Sequence, residues 1–560
     1  MIMSKDKFKV LLVYPNLPLM LVPPLSVAIF TKIIKDLNCS VRLFDTTEYV
    51  SDETVSPQNR VKYLQARDFK EEDIGVVGKV DMISDFVGYV ESYSPNLIVF
   101  VSVVEDVFLK TISMLEAICD FDVPKILGGV FVSAVPEKCM EYGCIDYVGI
   151  GEGEGSLSDF ICCVRDNGDL KRVNGIWFKD GEKVIKNSPA KPVDINKYPP
   201  DFSLFDEKRF YRPMGGRIFK SVPVETFRGC PYHCAYCNSP VTRKLGEFSL
   251  KELKKVNVDC DDFPKSFLKR KRLDVVEKNL IEIIEDQNPD LFYFIDDSFL
   301  ARPADEIFAF CEMYKKIAKP FWFNTRPENC TQENLARLKD VGCYRISFGL
   351  ECGNESFRKH VLKRKGTNEK IVKWFDVITK SGIPFSINLI IGFPGETRDL
   401  VMETVELVRK IKGYDTLTVS IFTPYNGTSL RKVAVKNAWL SDDAITVHTT
   451  SSSILKMPKP YLSKDEIDGL MRVVPLYVYF SKDEWGELRK AEKFDSDGEK
   501  SFKHYSRIYK EMFMKNSQDD EKEFTFSSSG CKSNMKDEYK FTAIKLTEDE
   551  IALLTVKGNI

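Results

Sequence analysis

Short apolar runs alternate with amphipathic stretches along the first third of the chain. Residues 9–15 and 97–104 are dense in branched apolar side chains, as in parallel strands covered on both faces. Residues 25–37 and 108–118 instead carry apolar side chains at helical spacing. Glycines end two further strand-like runs, KILGG and YVGIGEG. This alternation predicts a doubly wound, Rossmann-like α/β domain over residues 1–170.

A second strand–helix series follows after a linker. Residues 171–215 contain a predicted hairpin, with its turn at Asp180-Gly181, and then several prolines with little periodicity. Six strand candidates then alternate with helical stretches; they are residues 222–227, 291–295, 321–325, 345–350, 385–391 and 417–422. Six β/α units predict a partial (β/α)6 barrel over residues 216–440, with functional residues at the carboxyl ends of its strands.

The pattern changes again near the end of the chain. Residues 441–514 are rich in aromatic residues and have helical spacing, most clearly over 462–480, which predicts a helical C-terminal domain. Residues 515–540 are polar and rich in serine. We therefore expect the segment 515–560 to be a mobile tail.

Charge and hydropathy limit the class of partner. The chain has 81 basic and 83 acidic residues, a net charge of -2, so electrostatics gives no reason to expect nucleic acid or an anionic membrane as a partner. No apolar run reaches the ~20 residues that a membrane span needs. The first residues lead into a strand without the pattern of a cleavable signal. We expect a cytoplasmic protein with no membrane span.

Three cysteines follow the first strand of the second series with C-x3-C-x2-C spacing: Cys230, Cys234 and Cys237. In a reducing compartment, grouped cysteines indicate a metal site or catalysis. Structural zinc sites normally offer four ligands, and no second cysteine pair lies nearby. Iron–sulfur clusters ordinarily take four thiolates, so three cysteines on one loop would leave one iron open to chelate a small molecule. Three buried cysteines or an unconventional zinc site are the competing interpretations.

The triplet, its place after the first barrel strand and Tyr236 before the last cysteine resemble the radical S-adenosylmethionine (SAM) superfamily. The resemblance implies a 4Fe–4S cluster whose open iron binds the amino and carboxylate groups of SAM. Reductive cleavage of SAM then releases a 5′-deoxyadenosyl radical. Tyr236 would lie near the adenine, and a donor such as flavodoxin or ferredoxin would supply the electron.

Later segments resemble the same superfamily at successive strand ends. The implied SAM contacts are Asp296, Asp297, Glu351, Asn388, Gly392 and Pro424. The resemblance assigns the amino group of SAM to the acidic pair, its ribose or methionine part to Glu351 and Asn388, and its adenine to the segment at Pro424. Gly392, in the turn GFPGET, allows close backbone approach. The acidic pair could instead cap the N-terminus of a helix.

The first domain resembles the cobalamin-binding domain of cobalamin-dependent radical SAM enzymes. The implied contacts lie mostly at strand ends, where glycine lets the backbone approach a flat corrin. They are Ser102, Val103, Gly128, Gly129, Val130, Ser133, Gly151, Glu152 and Gly153. Many cobalamin proteins carry an Asp-x-His-x-x-Gly motif, but residues 1–200 contain no histidine, so cobalamin would bind without a histidine ligand. An α/β module that only docks onto the barrel is the competing interpretation.

The two resemblances together imply a cobalamin-dependent radical SAM enzyme, similar to class B methylases and to the anaerobic magnesium-protoporphyrin cyclases. One SAM would methylate reduced cobalamin and a second would be cleaved, so that an unactivated carbon of an unknown small-molecule or lipid-type substrate is methylated. Radical cyclisation or rearrangement uses the same parts and stays open. The sequence is also compatible with a methylthiotransferase-like enzyme and with a non-catalytic cobalamin or iron–sulfur sensor.

Overall fold

A computed structural model describes residues 7–18, 20–49, 56–69, 78–214, 216–255 and 267–514. The segment 515–560, for which we predict a mobile tail, lies outside these residues. Two seven-stranded sheets organise the described chain. Strands and helices are numbered below in chain order.

The first sheet has the strand order β2-β1-β3-β4-β5-β6-β7. Its strands are β1 Lys9–Tyr14, β2 Ser40–Asp45, β3 Leu97–Phe100, β4 Lys125–Gly128, β5 Tyr147–Gly149, β6 Ile176–Asp180 and β7 Lys183–Lys186. Its helices are α1 Leu25–Asp36, α2 Ser56–Lys62, α3 Met82–Tyr93, α4 Phe108–Ala117, α5 Val130–Ala134, α6 Pro136–Met140 and α7 Gly153–Arg165. The first five strands are parallel, which confirms the doubly wound α/β prediction.

Strand β1 shows why this sheet is covered on both faces. Val10 and Leu12 are fully buried in one hydrophobic core, whereas Leu11 and Val13 are fully buried in the other. Successive side chains of a strand point to opposite faces, so an unbroken apolar run marks a central strand. The predicted hairpin does not stand apart in the linker: β6 pairs antiparallel with β5 and extends the sheet.

The second sheet has the order β16-β15-β14-β13-β12-β9-β8. The strands from this half of the chain are β8 Tyr211–Met214, β9 Arg217–Val224, β10 Phe227–Arg228, β11 Lys269–Arg270, β12 Leu291–Phe294, β13 Phe321–Thr325, β14 Cys343–Glu351, β15 Phe385–Ile391 and β16 Thr416–Ile421. The helices are α8 Ser239–Lys255, α9 Leu273–Gln287, α10 Ala304–Tyr314, α11 Gln332–Asp340, α12 Glu355–His360, α13 Asn368–Ser381, α14 Arg398–Arg409 and α15 Ser429–Lys436.

Six parallel strands, β9 and β12 to β16, form the curled half-barrel that the sequence predicts. Strand β8 is an addition at the edge, where it forms an antiparallel hairpin with β9. Strands β10 and β11 form a separate antiparallel pair beside the barrel. The carboxyl ends of the six parallel strands therefore meet on one side, where a barrel of this type builds its site.

Helices α16 Lys464–Tyr479, α17 Trp485–Ala491 and α18 Ser496–Tyr509 follow the barrel, which confirms the predicted helical C-terminal region. Glu492, just after α17, pairs with Arg398 of α14 at 2.5 Å from Oε1 to Nη2, and this ion pair joins the helical region to the barrel. Among the residues that the structure describes, no helix combines the length and the apolar character needed to cross a bilayer.

Candidate active site

The three predicted cluster ligands share one loop between β10 and α8. Cys230, Cys234 and Cys237 are partly buried and form no disulfide. Ala235, within the loop, donates its backbone N–H to the Leu362 carbonyl at 3.1 Å. Its carbonyl accepts from the Leu430 N–H at 3.0 Å. Two other barrel segments therefore hold the loop in place.

The chemistry of these thiols suits an iron–sulfur cluster. Burial raises the pKa of Cys230 to about 11 and that of Cys237 to about 12, so binding of a cluster would have to displace the protons of both thiols. The Ser239 backbone N–H donates to Cys237 Sγ at 3.4 Å, a bond of the kind that tunes cluster thiolates. Within the described ranges no three Cys, His, Asp or Glu side chains already converge as metal ligands.

The two acids after β12 have different surroundings. Asp296 is buried and accepts from the Thr226 N–H at 2.8 Å and from the next amide at 3.0 Å, while Arg302 Nη2 lies 2.5 Å from its Oδ2. Its oxygens are thus occupied by donors of the chain itself. Asp297 lines the large cavity described below and accepts from Ser239 Oγ at 3.0 Å. Asp297 is the acid placed to meet a ligand.

Arg364 joins two of the predicted SAM contacts. Its Nη1 donates to Tyr236 Oη at 3.0 Å and to Glu351 Oε1 at 3.2 Å. A Cβ at Gly349 would lie 2.3 Å from Glu351 Oε1, so this carboxylate reaches Arg364 only because residue 349 is glycine. The Tyr236 ring packs against Phe393 with centroids 5.6 Å apart. No sequence pattern distinguishes Arg364 from the other cations around it, and the sequence analysis missed it.

Arg326 is a second arginine that the sequence analysis missed. It follows β13, is 8% exposed, and its guanidinium lies 3.8 Å from the centroid of the Tyr232 ring in the cluster loop. Burial raises the pKa of Cys230 and of Glu351, and the charge of Arg326 partly offsets both shifts. Arg326 also pairs with Glu328, Nε to Oε1 at 3.2 Å, so the positive charge that it brings near the cluster loop and Glu351 is partly compensated.

Two of the remaining predicted contacts bind other parts of the chain. Asn388 Oδ1 accepts from Thr418 Oγ1 at 2.5 Å, across β15 and β16. The Pro424 carbonyl accepts from Arg431 Nη1 at 2.8 Å. Pro424 follows β16, on the carboxyl side of the barrel strands where we expect SAM, whereas Asn388 is the fourth of the seven residues of β15 and lies in the middle of that strand.

The side chain of Glu396 holds the GFPGET turn in place through hydrogen bonds to the backbone of the turn. Glu396 Oε2 accepts from the Gly392 N–H at 2.6 Å and from the next N–H at 3.2 Å. Gly392 has a φ of +82°, and a Cβ there would lie 3.0 Å from Ile467 of α16. The close approach predicted at Gly392 is therefore an approach to a helix of the C-terminal region. Burial raises the pKa of Glu396 to about 8.

A cavity of about 480 Å³ lies between the first sheet and the barrel, with mostly apolar walls. Most of the predicted cobalamin contacts line it; they are Ser102, Gly128, Gly129, Val130, Ser133, Gly151, Glu152 and Gly153. Val103 is not part of this lining. It lies against Gly129, where a Cβ would be 2.4 Å from the Val103 backbone N and O. The second glycine is therefore needed for close packing of the two strand ends.

Charged residues surround one side of this cavity and join the two domains. Arg228 Nη1 pairs with Glu152 at 3.0 Å and with Glu154 at 2.8 Å, and its Nε pairs with Glu225 at 2.7 Å. Lys269 also pairs with Glu152. Glu152, predicted as a cofactor contact, thus takes part in an ion-pair network between the domains.

Residues 224–408 match the family model of the radical SAM superfamily. An uncharacterized methyltransferase of Pyrococcus horikoshii is 24% identical over 441 residues, which cover 76% of this chain and 88% of the relative. The sequence therefore resembles this relative along most of both chains.

Three solved structures of two proteins share the fold. The radical SAM methyltransferase TsrM of Kitasatospora setae, with cobalamin and a [4Fe-4S] cluster bound, matches at a TM-score of 0.60 and 15% identity, covering 92% of this chain and 99% of that one. TsrM with its tryptophan substrate and a SAM analogue bound matches at a TM-score of 0.53 and 17% identity. That match covers 77% of this chain and 76% of the TsrM chain. The cobalamin-dependent radical enzyme OxsB, with aqua-cobalamin and SAM bound, matches at a TM-score of 0.57 and 17% identity. That match covers 91% of this chain and 72% of the OxsB chain.

Proposed function

We propose that this chain, a member of the radical SAM superfamily, is a cobalamin-dependent enzyme that methylates an unactivated carbon of a small molecule. The observation that carries the proposal is the cavity between the two domains. Asp297, beside the cluster loop, and the glycines at the ends of β4 and β5 line the same space. When bound, the cluster and SAM supply a 5′-deoxyadenosyl radical, and cobalamin carries the methyl group.

Cys230, Cys234 and Cys237 would hold the cluster, and the groups around them would hold SAM. Asp297 receives the amino group, since the oxygens of Asp296 are already occupied. Arg326 provides the positive charge that the carboxylate of SAM requires. These roles rest on the placement of the side chains around the cluster loop.

The rest of the SAM site would be held by residues farther along the barrel strands. Arg364 fixes Glu351 and Tyr236 in one network, so that the carboxylate and the phenol can face the ribose and the adenine. Asn388 and the segment at Pro424 would supply the remaining contacts, whereas Gly392, whose N–H is taken by Glu396 and which lies against Ile467, would act only by shaping the turn.

Cobalamin would occupy the side of the cavity that belongs to the first domain. Ser102, with a φ of +57°, and the glycine pair at the end of β4 bring backbone atoms to its wall. No histidine is among the described residues that line the cavity, which supports binding without a histidine ligand. The apolar walls keep water away from the radical, which a closed site between domains requires.

The substrate is a small molecule or lipid-type compound whose identity the proposal leaves open, and cyclisation or rearrangement would use the same residues. We place the enzyme in the cytoplasm, with a flavodoxin or ferredoxin as electron donor and no nucleic-acid partner. TsrM, which has the same fold, has been solved with tryptophan as its substrate. This supports a small molecule as the class of substrate.

The test is anaerobic reconstitution of the full chain produced with hydroxocobalamin. About four irons per chain, bound corrinoid absorbance, and 5′-deoxyadenosine formed from SAM and dithionite are expected. The triple Cys230→Ala, Cys234→Ala, Cys237→Ala variant should lose the iron, whereas Cys119→Ala, at an exposed cysteine, should keep it. A cluster retained by the triple variant contradicts the assignment.

Different outcomes of this experiment would favour different functions. About eight irons per chain would favour a methylthiotransferase-like enzyme with a second cluster. A complete cluster without bound corrinoid would favour a first domain that only docks. Both cofactors bound without 5′-deoxyadenosine under competent reduction would favour a sensor.

A further inference from the structure

Polar side chains face the lumen of the half-barrel at alternate positions of its strands. They are Tyr293, Asn324, Asn388, Thr418 and Ser420, and each is partly exposed. Their neighbours in the strands, such as Phe294 and Val419, are buried in the core beneath the helices. Because successive side chains of a strand point to opposite faces, the polar set lies on the concave face of the sheet. The exposure of these side chains means that the concave face borders open space.

Arg212 of the edge strand β8 extends across this concave face. Its guanidinium lies 4.5 Å from the centroid of the Trp322 ring on β13, although β9 and β12 separate the two strands in the sheet. It also lies 5.1 Å from the centroid of the Tyr293 ring, which stacks on Trp322 with centroids 4.0 Å apart. Its Nη1 is buried without a hydrogen-bond partner, and no described residue accepts a hydrogen bond from Nε or Nη2. The two rings hold the guanidinium in the lumen while the N–H groups of Nε and Nη2 stay available to a ligand.

Arg60 of α2 reaches the lumen from the opposite edge of the sheet. Its Nη2 donates to Ser420 Oγ of the edge strand β16 at 3.3 Å, and its Nη1 donates to Gln65 Oε1 at 3.2 Å. The same Gln65 oxygen accepts from the Val419 N–H at 2.8 Å, which fixes this segment on β16. Burial lowers the pKa of Arg60 to about 10, and the charge of Arg212 acts in the same direction. Each positive charge therefore raises the cost of burying the other.

Neither arginine has an acidic partner among the described residues. Asp415, directly before β16, is taken by Arg345 of β14. Both arginines also lie outside the six β/α units, because Arg60 belongs to α2 of the first domain and Arg212 to the added strand β8. Partly buried positive charges without a counter-ion are unfavourable unless an anion joins them. The lumen therefore offers the charge that an anionic ligand requires.

We propose that Arg60 and Arg212 hold an anionic group of the substrate, a carboxylate or a phosphate, in the lumen of the half-barrel. The inference rests on the proposed function and names the chemical class of its substrate. A guanidinium presents paired N–H donors that match two oxygens of such a group. Ser420 is the fifth of the six residues of β16, so the anionic group would lie just below the strand ends where we place the cluster and SAM.

The first experiment measures anion binding without turnover. The probe is inorganic phosphate, titrated by calorimetry at constant ionic strength into the reconstituted enzyme with SAM and cobalamin added and no reductant. The test variants are Arg60→Gln and Arg212→Gln. The matched control is Arg337→Gln on α11, whose guanidinium also lies over an aromatic ring, 4.2 Å from the Phe308 centroid, but among the outer helices.

Each test variant should bind phosphate about tenfold or more weakly than the wild type, because each removes one of the two charges. Arg337→Gln should bind phosphate as the wild type does. Ser420→Asp should also lose phosphate binding, since the new carboxylate would pair with Arg60, whereas Ser420→Asn should keep it. An unchanged affinity in either arginine variant, an equal loss in the control, or no binding by the wild type would overturn the proposal.

The second experiment asks whether the anion belongs to the substrate. A small-molecule extract of the organism that encodes this chain is divided on an anion exchanger, and each fraction is incubated with enzyme, dithionite and SAM labelled in its methyl group. The label should enter a compound of the anionic fraction with the wild type and not with Arg212→Gln. Loss of the product's charge on phosphatase treatment identifies a phosphate, whereas loss of charge below about pH 3 identifies a carboxylate. Label that enters only a neutral or cationic compound would overturn the proposal.

The two proposals fail in distinguishable ways. If dithionite and SAM give no 5′-deoxyadenosine, the proposed function fails, yet the phosphate titration still reports on the anion site. If 5′-deoxyadenosine forms but phosphate binding is the same without either arginine, the proposed function stands and the anion site is wrong.

Discussion

Glu105 of the first domain and Arg431 of the barrel form a buried ion pair, with Oε1 and Nη1 3.2 Å apart and side chains 2% and 4% exposed. Glu105 also accepts from the backbone and the side-chain amide of Asn426 at 2.9 and 2.7 Å. Glu105 lies three residues after Ser102, and Asn426 lies two residues after Pro424. The loop expected to face cobalamin is therefore tied directly to the segment expected to face SAM.

Removing the carboxylate should destabilise the protein. In Glu105→Ala the buried Arg431 charge loses its partner, which costs roughly 3–5 kcal/mol. Denaturant unfolding of the purified protein measures this loss. The double variant Glu105→Ala, Arg431→Met should recover part of it because the uncompensated charge is gone. A single variant within about 1 kcal/mol of wild type would show that the pair does not hold the domains together.

Arg364→Lys should weaken SAM binding about tenfold. Lysine cannot reproduce the planar set of bonds to Tyr236, Glu351 and the Gly349 carbonyl. Calorimetry with SAM on the reconstituted enzyme measures the Kd. Gly349→Ala should act in the same direction, because its Cβ would displace the Glu351 carboxylate. The control is Arg337→Lys, at a surface ion pair; if Arg364→Lys binds SAM as well as this control does, the network has no role in binding.

Of the two neighbouring acids, Asp297 should contribute to SAM binding and Asp296 to stability. Asp297→Asn should weaken SAM binding about tenfold, the equivalent of ~1.4 kcal/mol, and leave the unfolding midpoint unchanged. Asp296→Asn leaves Arg302 without its buried partner and should lower stability by roughly 3 kcal/mol. Thermal unfolding and SAM titration of both variants distinguish them. If Asp296→Asn weakens SAM binding and Asp297→Asn lowers the unfolding midpoint, both assignments are wrong.

The sequence predicts which strands form better than it predicts the residue at which each strand ends. Buried strands such as Phe321–Thr325 and Phe385–Ile391 have the predicted bounds because aromatic and branched apolar residues dominate them and a proline directly precedes each. Strand β3 is shorter than the predicted 97–104, because Ser102 has a φ of +57° and the chain turns there. Strand β4 ends at Gly128 for a similar reason, since Gly129 has a φ of +153° and α5 begins next. Apolar character alone does not reveal such turns.

Contacts that depend on tertiary packing could not be predicted in this way. Arg326 follows β13 and Arg364 lies between α12 and α13, and only the packing of these segments brings the two arginines to the tyrosines of the cluster loop. The same holds for Asp296, whose sequence context is identical to that of Asp297 but whose carboxylate turns towards Thr226 and Arg302. Residue type and spacing identify the site, and packing decides which side chain is free to use it.

Glu396 should make stability depend on pH. Burial raises its pKa in the folded state to about 8, above its value in the unfolded chain, so the folded state holds this proton more tightly. The free energy of unfolding should therefore fall as pH rises from the ordinary pKa of a glutamate to about 8. This group contributes up to ~1.4 kcal/mol per pH unit to that fall, and the free energy should level off above about 8. Urea unfolding at several pH values should show a flatter profile for Glu396→Gln. An identical slope in wild type and variant would contradict this origin.

In the proposed function, one cavity brings cobalamin, without a histidine ligand, beside a cluster that binds SAM. Electron paramagnetic resonance of the reconstituted, cobalamin-loaded and reduced enzyme tests this most directly. We expect a cob(II)alamin signal with no splitting from a histidine nitrogen, so that 15N-histidine labelling of the protein leaves it unchanged, together with a cluster signal that changes when SAM is added. An axial nitrogen splitting that changes when the protein carries 15N-histidine, no cob(II)alamin signal, or a cluster signal insensitive to SAM would contradict it.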